Sequence, residues 1–181
     1  MATIRSMNMF DLLKYNNVNL DLLTETFFTN FYGTYFSKWQ EYCVVSEDTV
    51  SSIQGYLLGK VEGVKGSDLV KDWHGHVSAV TVAPQFRRQG LARALMNYLE
   101  EVSTKWHDAY FVDLFVRPSN NVAVGFYEQL GYVVYRTVSG YYGGDSNEDA
   151  YDMRKSMPKD PTGELSKPLN RSIHPSELEY H

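Results

Sequence analysis

Apolar residues recur along this chain with two different periods, and each period predicts one type of element. Where apolar and polar positions alternate, or where β-branched and aromatic residues run together, the pattern predicts a strand. Where apolar positions recur after three or four residues, the pattern predicts a helix with one buried face. It predicts strands at 2–7, 42–46, 52–61, 74–82, 110–116, 132–142 and 150–155, and helices at 10–17, 28–39, 91–102 and 121–130. Strands and helices interleaved in this way are typical of an α/β domain.

The segments between these elements are polar or rich in glycine. Residues 19–26 are a connection that carries Asp and Thr, 63–72 a loop, and 143–147 the turn of a closing hairpin. After Ser156 the chain becomes rich in Pro, Ser and charged residues, a composition typical of disordered segments. We therefore expect one folded domain at 1–156 and a tail at 157–181 that is disordered or docked on a partner.

The overall composition excludes several classes of protein. The chain has 181 residues, of which 43% are hydrophobic and 22% charged, and this suits one domain with a full core. The net charge of −5 argues against a nucleic-acid surface, which requires a basic patch. The single cysteine, Cys43, excludes an internal disulfide, and no long apolar run predicts a secretory signal or a membrane span. We therefore expect a cytoplasmic protein without direct nucleic-acid or membrane contact.

A basic turn joins the predicted strand 74–82 to the predicted helix 91–102. Such a turn suits a pyrophosphate, because Gly90 permits close backbone approach and the first N–H groups of a helix lack internal partners. The alternative is an ordinary strand–helix turn with two solvated arginines. The spacing Arg87-x-x-Gly90-x-Ala92 favours the anion site, since it resembles the R/Q-x-x-G-x-G/A pattern with which GCN5-related N-acetyltransferases, the GNAT family, bind acetyl-coenzyme A.

A second motif, Asn120-x-x-Ala123-x-x-x-Tyr127, begins just before the predicted helix 121–130. Helical spacing places Ala123 and Tyr127 on one face, where a small residue leaves room for a cofactor and a phenol can donate a proton. The alternative is a tyrosine that packs in the core behind an amphipathic helix. The glycine turn upstream favours the first interpretation, because the two motifs together resemble the core of the GNAT fold.

The GNAT resemblance implies a fold, a cosubstrate and a set of contacts. The fold is an α/β acetyltransferase domain in which helices flank a mixed central sheet. Acetyl-coenzyme A is the cosubstrate, no metal takes part, and Tyr127 protonates the departing coenzyme A thiolate. The residues implied to bind the cosubstrate are Val80, Val82, Arg87, Arg88, Gln89, Gly90, Leu91, Ala92, Asn120 and Tyr127.

Five further segments, at 20–26, 73–77, 111–117, 135–138 and 148–155, resemble the catalytic subunits of the N-terminal acetyltransferase B (NatB) complex. The last of them also occurs in catalytic subunits of the NatA type. The resemblance implies acetylation of nascent chains that begin Met-Asp, Met-Glu, Met-Asn or Met-Gln, beside a large helical-repeat auxiliary subunit on the ribosome. The residues implied to bind the substrate are Glu25, Phe27, His76, Ser78, Tyr141 and Tyr142. Some relatives carry Tyr in place of Phe27, and this difference would alter the pocket for the substrate methionine.

The predicted reaction needs only a weak base, because an α-amino group has a pKa of about 7.7–8.0. His76 shares one face of the predicted strand with Ser78, and two roles suit it. It could act as a base through water, or it could donate a hydrogen bond to the second substrate residue; the two roles compete for its protonation state. A backbone N–H near Val82 is our candidate for the group that stabilises the tetrahedral oxyanion.

Three patterns have a second interpretation. His74-x-His76 has the form of a metal-binding pair, but no third ligand lies at a suitable spacing. Cys43 could carry an acetyl group, although its place inside a predicted strand favours a core position. Tyr141 and Tyr142 either end a hairpin or, as the resemblance implies, line the peptide groove.

Two other functions compete with NatB-type acetylation. Another N-terminal or lysine acetyltransferase of the same fold would carry the same two motifs, and a comparison of peptide substrates separates it. A non-catalytic subunit that only binds coenzyme A is the other rival. The intact Arg87, Gly90, Asn120 and Tyr127 argue against it, and turnover by purified protein decides.

The aromatic content predicts a surface for a partner. The chain holds 14 Tyr and 9 Phe, enough for a core, a substrate groove and an interface together. Residues 10–39 lie outside the cofactor motifs and carry more apolar side chains than one sheet face can cover. We expect the auxiliary subunit to bind there.

Overall fold

The computed structural model describes residues 2–15, 18–19, 27–65, 71–143 and 147–178. The strands are β1 (Thr3–Ser6), β2 (Cys43–Glu47), β3 (Ile53–Glu62), β4 (His74–Val82), β5 (Phe111–Val116), β6 (Val133–Val138), β7 (Ala150–Ser156) and β8 (Ser172–Ile173). The α-helices are α1 (Thr29–Lys38), α2 (Leu91–Lys105) and α3 (Asn121–Gln129). Across these residues no helix has both the length and the apolar character that crossing a membrane requires.

The described strands form one mixed sheet in the order β1-β2-β3-β4-β5-β7-β6-β8. The β1–β2, β2–β3, β5–β7 and β6–β7 pairs are antiparallel, and the β6–β8 pair is parallel. The predicted mixed sheet is therefore confirmed, and apart from 10–17 each predicted element is present with modest shifts of its bounds. The chain divides into two compact units, Met1–Lys60 with Val77–Val102, and Val61–His76 with Ser103–His181.

The first unit has a core rich in tyrosine. Helix α1 places Tyr32 and Tyr35 in this core, where Tyr15 and Tyr56 also lie. The ring centroids of Tyr15 and Tyr56 are 5.1 Å apart, and the hydroxyl of Tyr56 donates to the side chain of Asn19 at 2.9 Å. Because these phenols combine apolar rings with polar tips, the aromatic stripe predicted for 28–39 forms mainly core.

The helix predicted at 10–17 is wrong, because Met9–Leu13 forms a 3₁₀ turn instead. The backbone N–H of Asn8 donates to the carboxylate of Asp11 at 2.9 Å, and Arg5 holds the same carboxylate at 2.7 Å. These bonds fix the segment in a capped turn against β1, and such side-chain bonds compete with continued helix. Residues 16–17 lie outside the described part of the chain.

In the second unit, β5, β7 and β6 place charged side chains opposite one another. Asp113 on β5 faces Arg154 on β7, and Asp152 on β7 faces Arg136 on β6. All four side chains are buried. Buried charges require partners of opposite charge. The strand register that pairs Asp113 with Arg154 and Asp152 with Arg136 is therefore favoured.

The segment after Ser156 makes several contacts with the strands of the second unit, and its predicted disorder or docking stays a prediction. Met157 and Ile173 are buried, and Ile173 pairs with Val138 at the edge of β6. The carboxylate of Asp160 accepts the hydroxyl of Ser156 at 2.8 Å and the N–H of Leu165 at 2.9 Å.

Candidate active site

The predicted cofactor turn links β4 to α2 within the first unit. The guanidinium Nε of Arg87 donates to the carbonyl of Val82 at 3.0 Å, so the turn folds back onto the end of the strand. Arg88 has φ 64° and Gly90 has φ 81°, both in the left-handed region. Gly90 suits this conformation without steric cost, while Arg88 adopts it at some strain.

The start of α2 supplies unpaired donors beside this turn. The helical ladder begins when the N–H of Ala94 donates to the carbonyl of Gly90 at 3.0 Å. The N–H groups of Leu91, Ala92 and Arg93 come before that bond, and the first turn of α2 contains no acidic residue. With two exposed arginines and the positive end of the helix dipole, the geometry suits an anion such as a pyrophosphate. Gln89 is exposed in the same turn, and its side chain donates to the carbonyl of Gln85 at 3.5 Å.

The end of β4 depends on a glycine that the sequence analysis missed. A Cβ at Gly55 on β3 would lie 2.6 Å from the carbonyl oxygen of Thr81, and the N–H of Ala83 donates to the carbonyl of Gln54 at 2.8 Å. Only glycine permits this backbone approach, and an isolated glycine within a strand is the sequence signal for it. Val80 is half-buried and Val82 is buried in this stretch, so their proposed cofactor contacts would fall mainly to backbone groups.

Two predicted substrate residues of the first unit have partners within that unit. The hydroxyl of Ser78 lies 2.6 Å from the hydroxyl of Tyr35 on α1, a contact that the aromatic stripe alone did not reveal. The ring of Phe27 stacks on Phe31 with centroids 4.0 Å apart. Contact of Phe27 and Ser78 with a substrate stays a prediction, and Glu25 lies outside the described residues.

In the second unit, α3 carries Asn120 and Tyr127. The side chain of Asn120 accepts the N–H of Ala123 at 3.1 Å and so caps the helix, a role that the cofactor motif did not predict. Tyr127 is buried, its ring centroid lies 5.9 Å from that of Tyr132, and none of the described residues bonds to its hydroxyl. Burial raises the pKa of this phenol, so it stays protonated at neutral pH as a proton donor must.

A row of rings in the second unit brings His76, Tyr141 and Tyr142 together. Phe115 on β5 lies between His76 and Tyr141, with centroid distances of 5.7 Å and 4.7 Å. The ring of Tyr142 meets Tyr141 edge-on at 5.1 Å, and the guanidinium of Arg117 lies 3.9 Å above its centroid. Phe115 stands in a segment that the sequence analysis used only as a family resemblance. The row shows that it joins the predicted base to the two tyrosines.

Arg117 holds this row in place through an ion pair. Its guanidinium donates to Glu148 at 3.1 Å, and Glu148 also accepts the N–H of Ser119 at 3.1 Å. These bonds to Ser119 and Arg117 hold the pKa of Glu148 below its usual range. This ion pair joins the end of β5 to the start of β7 and so helps to position Tyr141 and Tyr142.

Two histidines of β4 lie against buried carboxylates. The Nδ1 atom of His76 lies 2.8 Å from Asp113 Oδ1 and 3.9 Å from Glu62 Oε1. The Nε2 atom of His74 lies 3.5 Å from both Asp113 Oδ2 and Glu62 Oε1. One nitrogen of each imidazole faces these carboxylate oxygens, and the described residues contain no group of three or more His, Cys, Asp or Glu side chains arranged to hold a metal ion.

Cys43 lies in the core of the first unit. The thiol is buried, and its Sγ lies 3.3 Å from the carbonyl of Trp39. Burial raises the pKa of this thiol to about 12, so it is unreactive as a nucleophile near neutral pH. The core interpretation of Cys43 is confirmed.

Comparison with known proteins agrees with this geometry. The family described as Acetyltransferase (GNAT) family matches residues 11–132, which include both motifs. The chain is 52% identical over 180 residues to the N-terminal acetyltransferase B complex catalytic subunit NAA20 of Arabidopsis thaliana, which covers 99% of each chain. Its fold is similar to Naa20 of Chaetomium thermophilum in complex with a bisubstrate analogue, with a TM-score of 0.87, 41% identity, and 96% and 97% of the two chains covered. It is also similar to a chain of the NatB acetyltransferase complex bound to a bisubstrate inhibitor, with a TM-score of 0.85, 38% identity, and 97% and 98% covered.

The turn at Gly90 generates a test of the anion site. A Cβ at Gly90 would meet nothing within 4 Å, so a side chain there adds backbone strain and charge without a clash. We expect Gly90→Glu to weaken acetyl-coenzyme A binding by roughly tenfold relative to Gly90→Lys, because each charge at a helix N-terminus is worth about 0.3–2 kcal/mol and the two side chains differ by two charges. The two variants share the same backbone strain and differ in the sign of the added charge. Calorimetry at low and high salt measures the difference, and equal affinities for the two variants would contradict the assignment.

Proposed function

Because this chain belongs to the GNAT acetyltransferase family, within its branch of NatB catalytic subunits, we propose that it acetylates nascent chains beginning Met-Asp, Met-Glu, Met-Asn or Met-Gln. The acceptor is the α-amine of the initiator methionine, and the donor is acetyl-coenzyme A. The observation that carries this specificity is the row of His76, Phe115 and Tyr141, which presents polar groups beside an aromatic platform. A second residue with a carboxylate or amide side chain can bond to such groups, whereas an aliphatic one cannot.

The proposed reaction is direct acetyl transfer. The turn from Arg87 to Ala92 holds the pyrophosphate, and the neutral α-amine attacks the thioester carbon. A backbone N–H near Val82 stabilises the oxyanion that develops on the carbonyl oxygen. The C–S bond then breaks, Tyr127 gives its proton to the departing thiolate, and the proton that the amide nitrogen loses returns to the phenolate through water. Geometry in the second unit supports this role of Tyr127, because the phenol is buried and protonated and bonds to none of the described residues.

The proposed partner is a large helical-repeat auxiliary subunit, with which the chain forms a heterodimer that works on nascent chains at ribosomes in the cytoplasm. Support comes from the first unit, where Phe10 and Leu13 on the 3₁₀ turn are 75% and 78% exposed and Phe28 is 87% exposed. Apolar side chains this exposed are typical of a surface that another protein covers. The similar chain from the NatB acetyltransferase complex is likewise part of a larger assembly.

A peptide panel tests the proposed substrate class. We expect peptides beginning Met-Asp and Met-Asn to exceed Met-Leu and Met-Lys in kcat/KM by about ten- to a hundredfold, because one buried polar group left unpaired costs about 1–3 kcal/mol. The assay uses purified chain with and without the co-expressed partner. Equal rates across the panel would place the enzyme in another acetyltransferase class. Coenzyme A binding without turnover of any peptide would favour the non-catalytic rival.

Replacement of one phenol tests the proposed general acid. Tyr127→Phe keeps the ring and removes the hydroxyl, so kcat should fall within the roughly 10²–10⁴-fold range of acid–base catalysis while acetyl-coenzyme A affinity changes little. Tyr132→Phe is the matched control, since it removes a hydroxyl from the neighbouring ring and should leave kcat close to wild type. Wild-type kcat for Tyr127→Phe at saturating substrates would show that another group protonates the thiolate.

A surface variant tests the partner site. Phe10→Ser combined with Leu13→Ser should weaken binding of the auxiliary subunit by roughly 30-fold, since two interface side chains at about 1 kcal/mol each give that change in Kd. The fold should persist, because both side chains are exposed. Val50→Ser is the control, since Val50 is equally exposed, at 80%, in the β2–β3 turn. Unchanged partner affinity in the double variant would move the interface elsewhere.

A further inference from the structure

Asp113 lies between two histidines with one carboxylate oxygen facing each. Its Oδ1 is 2.8 Å from His76 Nδ1, and its Oδ2 is 3.5 Å from His74 Nε2. The Asp113 side chain is only 7% exposed, so water competes little for these contacts. The proposed reaction gives a role to His76 but leaves Asp113 and His74 without one.

Positive neighbours keep Asp113 ionised in spite of its burial. Burial would raise the pKa of its carboxyl, but the charge of His74, the hydrogen bond from His76 and the charge of Arg154 hold the pKa well below its usual range. Arg154 stands directly opposite on β7. An ionised carboxylate can only accept hydrogen bonds. The nitrogen of His76 that faces it must therefore carry a proton.

His74 also lies against oxygen atoms that can only accept. Its Nδ1 lies 2.5 Å from the carbonyl of Asp72, which can only accept, and its Nε2 faces Asp113 and Glu62. Burial disfavours its charge, yet the Asp113 charge, the Glu62 bond and the Asp72 carbonyl raise the pKa of His74 above its ordinary value. The oxygens around His74 therefore favour its charged form.

His76 differs because its second nitrogen faces no acceptor among the described residues. It contacts Asp113 and Glu62 through Nδ1 and the ring of Phe115. With Nδ1 protonated toward Asp113, the neutral imidazole carries its lone pair on Nε2. That nitrogen accepts a proton and does not donate one.

We propose that Asp113 is a positioning residue that fixes His76 as the Nδ1–H tautomer, so that Nε2 is the base for the substrate amine. This inference rests on the proposed function and decides between the two roles that suit His76. Hydrogen-bond donors for the second substrate residue then come from other groups of the row, such as the phenol of Tyr141. A carboxylate that orients a histidine in this way is a known device of catalytic triads.

The proton transfer balances without a further reactant. A water takes one proton from the α-ammonium and gives one of its own to Nε2, so the amine becomes neutral and His76 becomes an imidazolium. The new charge faces Asp113 and Glu62, and His74 and Arg154 lie nearby. The two carboxylates beside His76 offset the charge that it gains. The proton returns to solvent after product leaves.

Nitrogen-15 spectra of labelled histidine test the tautomer directly. The chain has five histidines, and His76→Gln assigns the His76 signals by their loss. We expect wild-type His76 to show a protonated Nδ1 and an unprotonated Nε2, and His74 to show two protonated nitrogens. An Nε2–H tautomer or an imidazolium at His76 near neutral pH would overturn the proposal. This measurement needs no turnover, so it stands apart from the substrate test.

Asp113→Asn tests the consequence for catalysis. Its amide can donate to Nδ1 and so select the opposite tautomer. We expect kcat to fall about 10²–10⁴-fold with little change in the peptide KM, and the His76 spectrum to switch to Nε2–H. Asp152→Asn is the matched control, because it neutralises another buried carboxylate of the same sheet. That carboxylate bonds to Arg136 and Arg154 and touches neither histidine. It should keep kcat and the His76 spectrum. Equal kcat loss in both variants, or wild-type kcat in Asp113→Asn, would contradict the positioning role.

Discussion

The buried charge of Asp113 is the constraint on which the second unit depends. An ionised carboxylate inside a protein costs several kcal/mol unless opposite charges and hydrogen bonds surround it. Here β4 supplies His74 and His76, and β7 supplies Arg154 at the opposed position of the ladder. These partners come from segments far apart along the chain. Only the correct register of the strands brings them together, so the charge selects that register as well as the protonation of its neighbours.

The line of buried charges that includes Asp113 and Arg154 continues from β7 to β6. Neighbouring charges along it share partners. Arg154 lies 3.4 Å from Asp152, and Asp152 lies 2.8 Å from Arg136. Burial raises the pKa of Asp152 and the charge of Arg154 opposes that shift, although the balance stays above the ordinary value. The pKa of Asp113, which has positive groups on both sides, is lowered instead. The pKa values of these two aspartates therefore shift in opposite directions because their neighbours differ, and the residue type alone does not decide the direction.

The sequence predicted local features well and non-local ones poorly. Periodicity placed β4 at its observed bounds and identified α1, α2 and α3, because these patterns depend on neighbouring residues. It described 110–116 as a mostly apolar strand and gave no role to Asp113, since the partners of that carboxylate lie 37 and 41 residues away. It likewise missed the Asn8 cap, the backbone approach at Gly55 and the pairing of Ile173 with Val138. Each of these depends on one contact that composition does not record.

The protonation of the two histidines is the clearest case of function set by environment. His74 and His76 are two residues apart on one strand and share the carboxylates of Asp113 and Glu62. The carbonyl of Asp72 gives one ring a second acceptor, whereas the other ring has none among the described residues. The oxygens around one ring therefore favour its charged form, and the proposed tautomer leaves the other ring a lone pair on Nε2. An α-ammonium needs only a weak base near neutral pH. A neutral imidazole beside a carboxylate meets that need, because the charge it gains is balanced where it forms.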